Sequence, residues 1–234
     1  MLGLLGTIVN VGAVLAGGLL GLLFRKGLPQ RISDTLMKGL ALCVFLIGVS
    51  GMLEGQNALI AIISIALGAV IGELIDLDKH LNRFGGFLQK KFSRQESLGA
   101  SGDNRFAEGF VSASLLFCVG AMAVVGSLDS GLTGNHQTLF AKSIIDGLSA
   151  MVFASTLGAG VLLSAGPVLL YQGTITLLAR WLAPVLTETI VAEMTCVGSL
   201  LIIAISLNML GLTRLKVMNY LPAIFIPIAL CQFM

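Results

Sequence analysis

The chain has 234 residues, of which 56% are hydrophobic and only 11% are charged. A water-soluble domain keeps about a quarter of its residues charged, so this composition excludes an ordinary soluble protein and predicts an all-α polytopic membrane protein. The net charge of +2 does not indicate nucleic-acid binding, because the basic residues lie in the loops between apolar segments.

Eight apolar segments approach the length needed to cross about 30 Å at 1.5 Å per residue. They are residues 3–24, 35–53, 57–75, 107–126, 139–157, 159–180, 190–210 and 219–233. We therefore predict about eight transmembrane helices in a single integral membrane domain, 1–234. The first is interpreted as a retained helix rather than a signal peptide, because Arg25 and Lys26 follow its apolar run and no basic residue precedes it.

The distribution of Lys and Arg predicts the orientation. With the N-terminus outside, the loops after the first, third and seventh segments are cytoplasmic and hold twelve of the 14 basic residues: Arg25, Lys26, Arg31, Lys38, Lys79, Arg83, Lys90, Lys91, Arg94, Arg105, Arg214 and Lys216. Only Lys142 and Arg180 fall on the other side. Since cytoplasmic loops are enriched in Lys and Arg, we predict that the N-terminus and the C-terminus both lie outside.

The long loop after the third segment has two parts. Residues 77–92 place Leu and Phe at helical spacing with basic residues between them, which predicts an amphipathic helix on the anionic inner leaflet. Residues 93–106 are polar and rich in small residues, which predicts a flexible cytoplasmic linker.

Two parts of the chain leave its topology open. The segments "GTIVNVGAVLAGGLLGLL" and "LALCVFLIGVSGML" are similar in order to "STLGAGVLLSAGPVLLYQ" and "EMTCVGSLLIIAISLNML", and on the predicted topology such a repeat would be inverted, as in many transporters. Residues 139–182 contain only Gly158, Gly160 and Gly166-Pro167 as helix breakers, so they form either two ordinary spans or one broken, re-entrant segment.

The segment 139–160 carries an unusual polar load for a membrane helix. At 100° per residue its polar positions fall within about 80° of one another; this stripe contains Lys142, Asp146, Ser149, Phe153, Thr156 and Gly160. The opposite side, with Gly147, Met151, Ala154 and Gly158, suits close helix packing. Asp146 would lie on the order of 10 Å inside the membrane, where a carboxylate is costly unless it faces protein, water or a cation.

We predict that Asp146 is the central polar site, that Ser149 and Thr156 offer neutral oxygens to a substrate ion, and that Lys142 tunes Asp146 or gates the outer entrance. In the alternative interpretation, Lys142 extends to the membrane surface and pairs with Asp146, while the hydroxyl groups bond to the preceding turn.

Further polar residues lie within the other apolar segments. Asn10 and Gln172 are near the middle of theirs and are predicted to bind the substrate or ion, or alternatively to hold helices together. Glu73, near an inner end, and Glu193, near an outer end, are candidates for gating or charge tuning, although solvated charge is ordinary at the position of Glu73. Asn219 is predicted to cap the last helix, with Pro222 in its first turn.

Other motifs bear on packing and exclude common site types. Gly17-x-x-x-Gly21 and Gly68-x-x-x-Gly72 predict close-packed helix faces. The sequence has no H-E-x-x-H motif, phosphate-binding glycine loop with Lys or G-x-S-x-G elbow. Its four cysteines stand singly and its two histidines lie in loops, so we expect no enzyme activity, no cofactor and no metal site.

Several motifs in order resemble the YqgA/YdfK family of bacterial inner-membrane proteins over nearly the whole chain. The motifs are "GTIVNVGAVLAGGLLG", "LPQRI", "LGAVIGE", "LFCVGAMAVVGSLDSGLTGN", "AKSIIDGLSAMVFASTLG", "VGSLLI" and "NYLPAI". The resemblance implies a multi-pass protein of the bacterial plasma membrane, in a family catalogued as a domain of unknown function with a suggested role as a sodium channel or pump. It points to Asn10, Glu73, Lys142, Ser143, Asp146, Gly158, Gln172, Asn219 and Pro222.

These features together predict a transporter or channel for a small ion or solute. A cation such as sodium or a proton is favoured, because the ligands would be hard oxygens. The alternative is a non-transporting scaffold or assembly factor, whose glycine faces form oligomers and whose basic inner-leaflet helix binds lipid or a partner. The expected partners are membrane lipid and a small ion or solute, with a homo-oligomer left open and no nucleic acid.

Overall fold

The computed structural model describes residues 2–25, 30–80 and 101–233, and every regular element in these ranges is a helix. This confirms the predicted all-α class. The α-helices are α1 (Leu5–Arg25), α2 (Gln30–Met52), α3 (Ala58–Ile75), α4 (Ser101–Cys118), α5 (Ala121–Leu132), α6 (Gln137–Leu157), α7 (Gly160–Leu163), α8 (Ala165–Leu177), α9 (Ala179–Leu182), α10 (Glu188–Met209) and α11 (Ile226–Leu230). A short 3-10 helix, Leu2–Leu4, precedes α1, and the C-terminal 3-10 helix, Val217–Phe225, leads into α11.

Five helical segments in the described ranges are long and apolar enough to cross a membrane: Leu5–Phe24, Ala58–Ile75, Gln137–Leu157, Gly160–Leu177 and Glu188–Met209. The bent pair Phe106–Cys118 and Met122–Leu132 makes a sixth if it is one span. Met37–Met52 and Val217–Leu230 are shorter apolar helices. Each of the eight predicted segments thus has a helical counterpart, while the number of crossings stays a prediction.

Large apolar side chains cover the outer surface of this bundle. Leu23 is 72% exposed, Leu74 82% and Leu170 71%, and similar residues lie on α2 and α6. A soluble monomer rarely exposes apolar patches on this scale. The surface is therefore the one expected for a protein whose helices face lipid.

Helices α1 and α6 pack side by side and run in the same direction. Gly6 lies against Leu139, Gly17 against Gly147 and Gly21 against Met151, so residue numbers rise together along both helices. A side chain at Gly17 or Gly21 would collide with a backbone carbonyl of α6. The predicted packing roles of Gly17-x-x-x-Gly21 and of the small side of α6 are confirmed.

The next two N-terminal helices also pair with the C-terminal half, but in antiparallel fashion. Gly51 of α2 lies against Ser199 of α10, and Ser206 donates to the Ala41 carbonyl at 2.7 Å. Gly68 and Gly72 of α3 lie against Ala223 and Asn219 of the C-terminal 3-10 helix. The second predicted repeat pair, α2 and α10, is therefore in contact, while the inverted repeat itself stays a prediction.

Helices α4 and α5 form one bent rod, the α4–α5 rod, with a bend of 57°. Gly109 of α4 lies beside Leu157 of α6, and Gly126 of α5 lies beside Leu139. The rod thus runs antiparallel to α6 along nearly its whole length, which favours a broken span over a re-entrant loop. It extends to Leu132, six residues beyond the predicted segment 107–126.

Residues 139–182 form two segments of opposite direction. Helix α6 ends at Leu157, and Gly158 takes a φ of 89°, which a glycine adopts without strain. The chain then returns along α1, with Leu162 against Gly18 and Gly173 near Leu4. This supports the interpretation as two segments rather than one broken helix.

Two predictions about polar segments need correction. Residues 101–106 are helical as the start of α4, so the predicted linker 93–106 is too long; residues 93–100 lie outside the described ranges. Residues 77–80 of the predicted inner-leaflet helix are helical, and residues 81–92 lie outside the described part of the chain.

Asn219 lies inside the C-terminal 3-10 helix rather than capping it, because its side chain binds the end of α3 instead.

Candidate functional site

A buried ion pair occupies the first half of α6. Lys142 Nζ lies 2.8 Å from Asp146 Oδ1 and 2.7 Å from Asp146 Oδ2, and the two residues are only 6% and 3% exposed. Residues four apart lie on the same face of a helix, which places the ammonium group directly over the carboxylate. The alternative interpretation had Lys142 extend to the membrane surface while pairing with Asp146. The structure shows the pairing, but Lys142 is buried and does not extend to the surface.

Helices α1 and α8 add two amide side chains to this pair. Asn10 Nδ2 donates to Asp146 Oδ2 at 3.0 Å and to Gln172 Oε1 at 3.3 Å. Asn10 and Gln172 are both fully buried. Four residues predicted from the sequence thus form one cluster, which we call the Asp146 cluster: Asn10, Lys142, Asp146 and Gln172.

The Asp146 cluster retains hydrogen-bonding capacity. Asn10 Oδ1 and Gln172 Nε2 have no hydrogen-bond partner within the described residues, and neither does the hydroxyl of Thr7, one turn before Asn10. Buried polar atoms are almost always satisfied by protein or by ordered water. These atoms therefore mark a place where water or a polar ligand can bind.

A cavity of about 400 Å³, the Asp146 cavity, borders the cluster. Lys142, Asp146 and Ser149 contribute to its wall, as do Ser199 of α10 and Glu54 in the turn after α2. Glu54 is exposed, so the cavity extends from the ion pair toward the end of the bundle that is predicted to lie outside. The predicted position of Ser149 beside Asp146 thus agrees with the structure.

The bend of the α4–α5 rod forms another part of this wall. Gly120 lies between the two helices with a φ of 120° and borders the Asp146 cavity together with Met122 and Ala123 of α5. The first N–H groups of an α-helix have no partner inside the helix and carry its positive end. Broken helices that present their ends to a cavity near the membrane centre are typical of secondary transporters.

The ligands on offer suit a hard cation or a proton. In the part of the chain that the structure describes, no group of three His, Cys, Asp or Glu side chains could hold a metal ion. The Asp146 cavity instead combines the buried carboxylate of Asp146 and the exposed one of Glu54 with the neutral oxygens of Ser50, Ser149 and Ser199. Oxygen-only ligand sets favour hard cations over soft transition metals.

Two hydroxyl residues of α6 lie outside this arrangement. Thr156 is buried, but it is ten residues or about 15 Å along the helix from Asp146, and its hydroxyl lies 3.0 Å from the Phe153 carbonyl. The structure therefore does not bring Thr156 to the predicted ion site. Ser143, to which the family resemblance pointed, donates to the Leu139 carbonyl at 2.6 Å in the same way.

Glu193 and Glu73 are separated from Asp146 and from each other. Glu193 Oε1 accepts the backbone N–H groups of Gln56 at 2.7 Å and Asn57 at 2.8 Å, at the start of α3. Glu73 lies near the end of α3, about 24 Å away along that helix. Both carboxylates bind loops at opposite ends of the bundle instead of Asp146, and their predicted role in gating or charge tuning stays a prediction.

The cluster at the end of α3 joins two loops. Glu73 accepts from Lys216 Nζ at 3.1 Å and from Asn219 Nδ2 at 2.6 Å, and Asn219 Oδ1 accepts from the Asp78 N–H at 2.8 Å. The hydrogen bond from Lys216 to Glu73, together with the charge of that carboxylate, raises the pKa of Lys216. This cluster fixes the inner end of α3 against the chain that follows α10.

Sequence reasoning missed the residues that complete the cavity from other helices. Ser50, Thr195 and Ser199 are single small polar residues in apolar helices, and Gly120 is one of 29 glycines in the chain. These four residues come next to Asp146 only because α2 and α10 pack against the bend. A glycine before "AMAVVG" was the one available signal for the bend.

Comparison with known proteins places the whole of this site inside one family. The family model described as protein of unknown function (DUF554) matches residues 5–232. The chain belongs to this family. The uncharacterized membrane protein YdfK of Bacillus subtilis (strain 168) is 30% identical over 226 residues, which cover 95% of this chain and 93% of YdfK. The uncharacterized protein YqgA of Escherichia coli (strain K12) is 32% identical over 226 residues, which cover 97% of this chain and 95% of YqgA.

No solved structure matches this DUF554 protein. The resemblance inferred from the ordered motifs is confirmed, and with it the assignment as a membrane protein. All residues of the Asp146 cluster, the bend at Gly120 and the cluster around Glu73 fall within the matched range of the DUF554 family.

Proposed function

We propose that this protein is a transporter or channel for a small ion or solute, with a cation such as sodium or a proton as the favoured substrate and Asp146 as the group that it meets. The observation that carries the proposal is a buried carboxylate beside a cavity of about 400 Å³ at a break in a membrane helix. Ionisable residues inside a membrane are expensive and usually mark ion pathways or proton relays.

Stability alone is a weak explanation for the Lys142–Asp146 pair. Replacing a buried ion pair by well-packed apolar residues is often neutral or stabilising, so a bundle that needed only a stable core would gain little from these charges. As a tethered counter-ion, Lys142 lowers the cost of burying Asp146. A cation that enters the cavity would compete with this ammonium group for the two carboxylate oxygens, and Ser149 would add a neutral oxygen.

The proposed location is the plasma membrane of a bacterium, as a multi-pass protein. The excess of Lys and Arg in alternate loops supports an orientation with both termini outside. Membership of a family whose relatives include a membrane protein of Bacillus subtilis supports the same location.

The test is ion flux into proteoliposomes that contain the purified protein, measured separately for sodium and for protons. Asp146→Asn keeps the size of the side chain and removes its charge, so we expect it to abolish flux. Glu188→Gln, at the exposed start of α10, is the matched control and should retain flux. A folded Asp146→Asn protein with unchanged flux would remove Asp146 from the mechanism.

The alternative of a non-transporting scaffold has less support. It relied on glycine faces that mediate oligomerisation, but Gly17, Gly21, Gly68 and Gly72 all lie against other helices of the same chain. In a scaffold, Asp146→Asn would lower stability while neither the wild-type protein nor the variant carried flux. The proposal therefore remains a transport protein without enzymatic activity.

A further inference from the structure

Three cavities follow one another along the α4–α5 rod. The Asp146 cavity lies at the bend, around Gly120. A second cavity of about 320 Å³, the middle cavity, lies along α4 from Phe110 to Cys118 and reaches the bend at Val119 and Gly120. A third of about 420 Å³, the inner cavity, lies around Ala107 and Glu108 and the loop before the C-terminal 3-10 helix.

Neighbouring cavities share their walls. The Asp146 cavity and the middle cavity are both bordered by Val119, Gly120 and Thr195. The middle cavity and the inner cavity are both bordered by Val111 and Met218. Since residues 111 and 120 are about 14 Å apart along a helix, the three adjoining cavities cover most of the length of α4.

The chemistry of the walls changes along this line. Charged residues border the two end cavities, with Lys142 and Asp146 in one and Arg214 and Lys216 in the other. The middle cavity is bordered mainly by apolar side chains, including Leu115, Met194, Leu221 and Ile224. An apolar constriction between two polar compartments excludes water and so prevents ions from passing.

We propose that the α4–α5 rod forms the wall of one path from the Asp146 cavity to the inner cavity, and that Val119 and Thr195 form the gate at which the path is closed. This inference rests on the proposed transport function. Thr195 donates its hydroxyl proton to the Val191 carbonyl at 2.8 Å, so the group that it offers to the path is largely its methyl.

The surroundings of Val119 explain why the gate can close and open. Val119 packs against Gly198 of α10, where a side chain would find no room. The next residue, Gly120, has open space around its α-carbon and a φ that other residues rarely adopt. A change of the bend at Gly120 can therefore move α5 relative to Val119 and the end of α4, and so alter the wall that separates the Asp146 cavity from the middle cavity.

The test uses Cys118, which borders the middle cavity. In the full-length protein with Cys43→Ser, Cys196→Ala and Cys231→Ser, a membrane-impermeant cationic methanethiosulfonate is added to the outer side of oriented membrane vesicles. Val119→Ala removes two methyl groups from the gate and should accelerate labelling of Cys118 by about tenfold. Val119→Thr keeps the side-chain shape, makes the gate polar and should accelerate labelling as well.

Val125→Ala is the matched control, because Val125 lies on α5 and is 39% exposed on the outer surface; its labelling rate should equal that of the parent. Equal rates in the parent and in both Val119 variants would overturn the gate. Labelling of Cys118 does not require transport, so the two proposals can fail separately. If the proposed function were wrong, flux would be absent or independent of Asp146, whatever the labelling rates.

Discussion

At the scale of single residues, Lys142 and Asp146 determine each other's effect. Each is an ion that is largely buried, and each is compensated by the other at less than 3 Å. Removing one partner of a buried pair leaves an uncompensated charge, which costs about 3–5 kcal/mol, whereas removing both leaves none. The stability of single and double variants is therefore a direct measure of how dry this site is.

We expect Lys142→Met to lower the free energy of unfolding by about 3–5 kcal/mol, and the double variant Lys142→Met/Asp146→Leu to recover most of that loss. Thermal unfolding in detergent, followed by the fraction that remains monodisperse, measures both. Lys216→Met is the control: it breaks the more exposed pair with Glu73 and should have a much smaller effect. A double variant as unstable as Lys142→Met would show that the loss of stability does not come from the uncompensated charge of Asp146.

Glu193 gives a second residue-scale prediction, since its Oε1 accepts two backbone N–H groups at the start of α3. Glu193→Ala should destabilise the protein by about 2 kcal/mol or more, because those two donors lose a charged acceptor. Glu193→Gln keeps an acceptor oxygen and should lose less. The same unfolding measurement checks this, with Glu188→Ala at the exposed start of α10 as a control expected within about 0.5 kcal/mol of wild type.

At the scale of elements, the contact of α1 with α6 positions Asn10 over Asp146. The helices approach closely enough for backbone to touch backbone, because Gly17 and Gly147 meet without side chains. Small residues allow this approach in membranes, where packing rather than water exclusion holds helices together. Any side chain at Gly17 would therefore separate the two helices and withdraw Asn10 from the carboxylate.

Gly17→Ala should lower the free energy of unfolding by about 1–3 kcal/mol, as expected for an overpacked interface. It should also reduce flux if the transport proposal holds. The chain offers a matched control in the same helix, since a methyl group at Gly12 would meet no atom within 4 Å. Gly12→Ala should be neutral or slightly stabilising, because alanine favours the helix more than glycine does. Equal losses in the two variants would contradict the proposed close contact.

At the scale of the whole molecule, the directions of the helices limit the topology. Helices α1 and α6 run in parallel, which requires an odd number of crossings between them. α2, α3 and the α4–α5 rod supply three if the rod is a single broken span. The same alternation continued through the C-terminal half returns the chain to its starting side.

Reporter fusions test this count. An enzyme that is active only outside the plasma membrane should be active when it is fused to either terminus, and a fluorescent protein that folds only in the cytoplasm should be dark at both. The fusions at Gly102, in the segment predicted to be cytoplasmic, should give the opposite pattern and serve as the control. Termini on opposite sides would show an odd number of crossings and would require one of the shorter helices to stay on one side.

Different parts of this molecule were predictable from the sequence to different degrees. The apolar segments, the polar stripe with Lys142 and Asp146, and the small side of α6 follow from composition and helical period, and these agree with the structure. The bend at Gly120 and the hydrogen bonds of Glu193 and Asn219 to the two ends of α3 depend on which helices meet. That information lies in contacts across the chain, so a single sequence indicates the candidates without deciding among them.

The pairing of distant helices also bears on how the protein is made. Asn10 and Asp146 are 136 residues apart in the chain, and Ser206 and Ala41 are 165 apart. When the ribosome has delivered α1, α2 and α3 to the membrane, none of their main partners has yet been synthesised. Insertion and assembly must therefore be separate stages, because the partners that Asn10 binds on α6 and α8 reach the membrane only after α1 has been inserted.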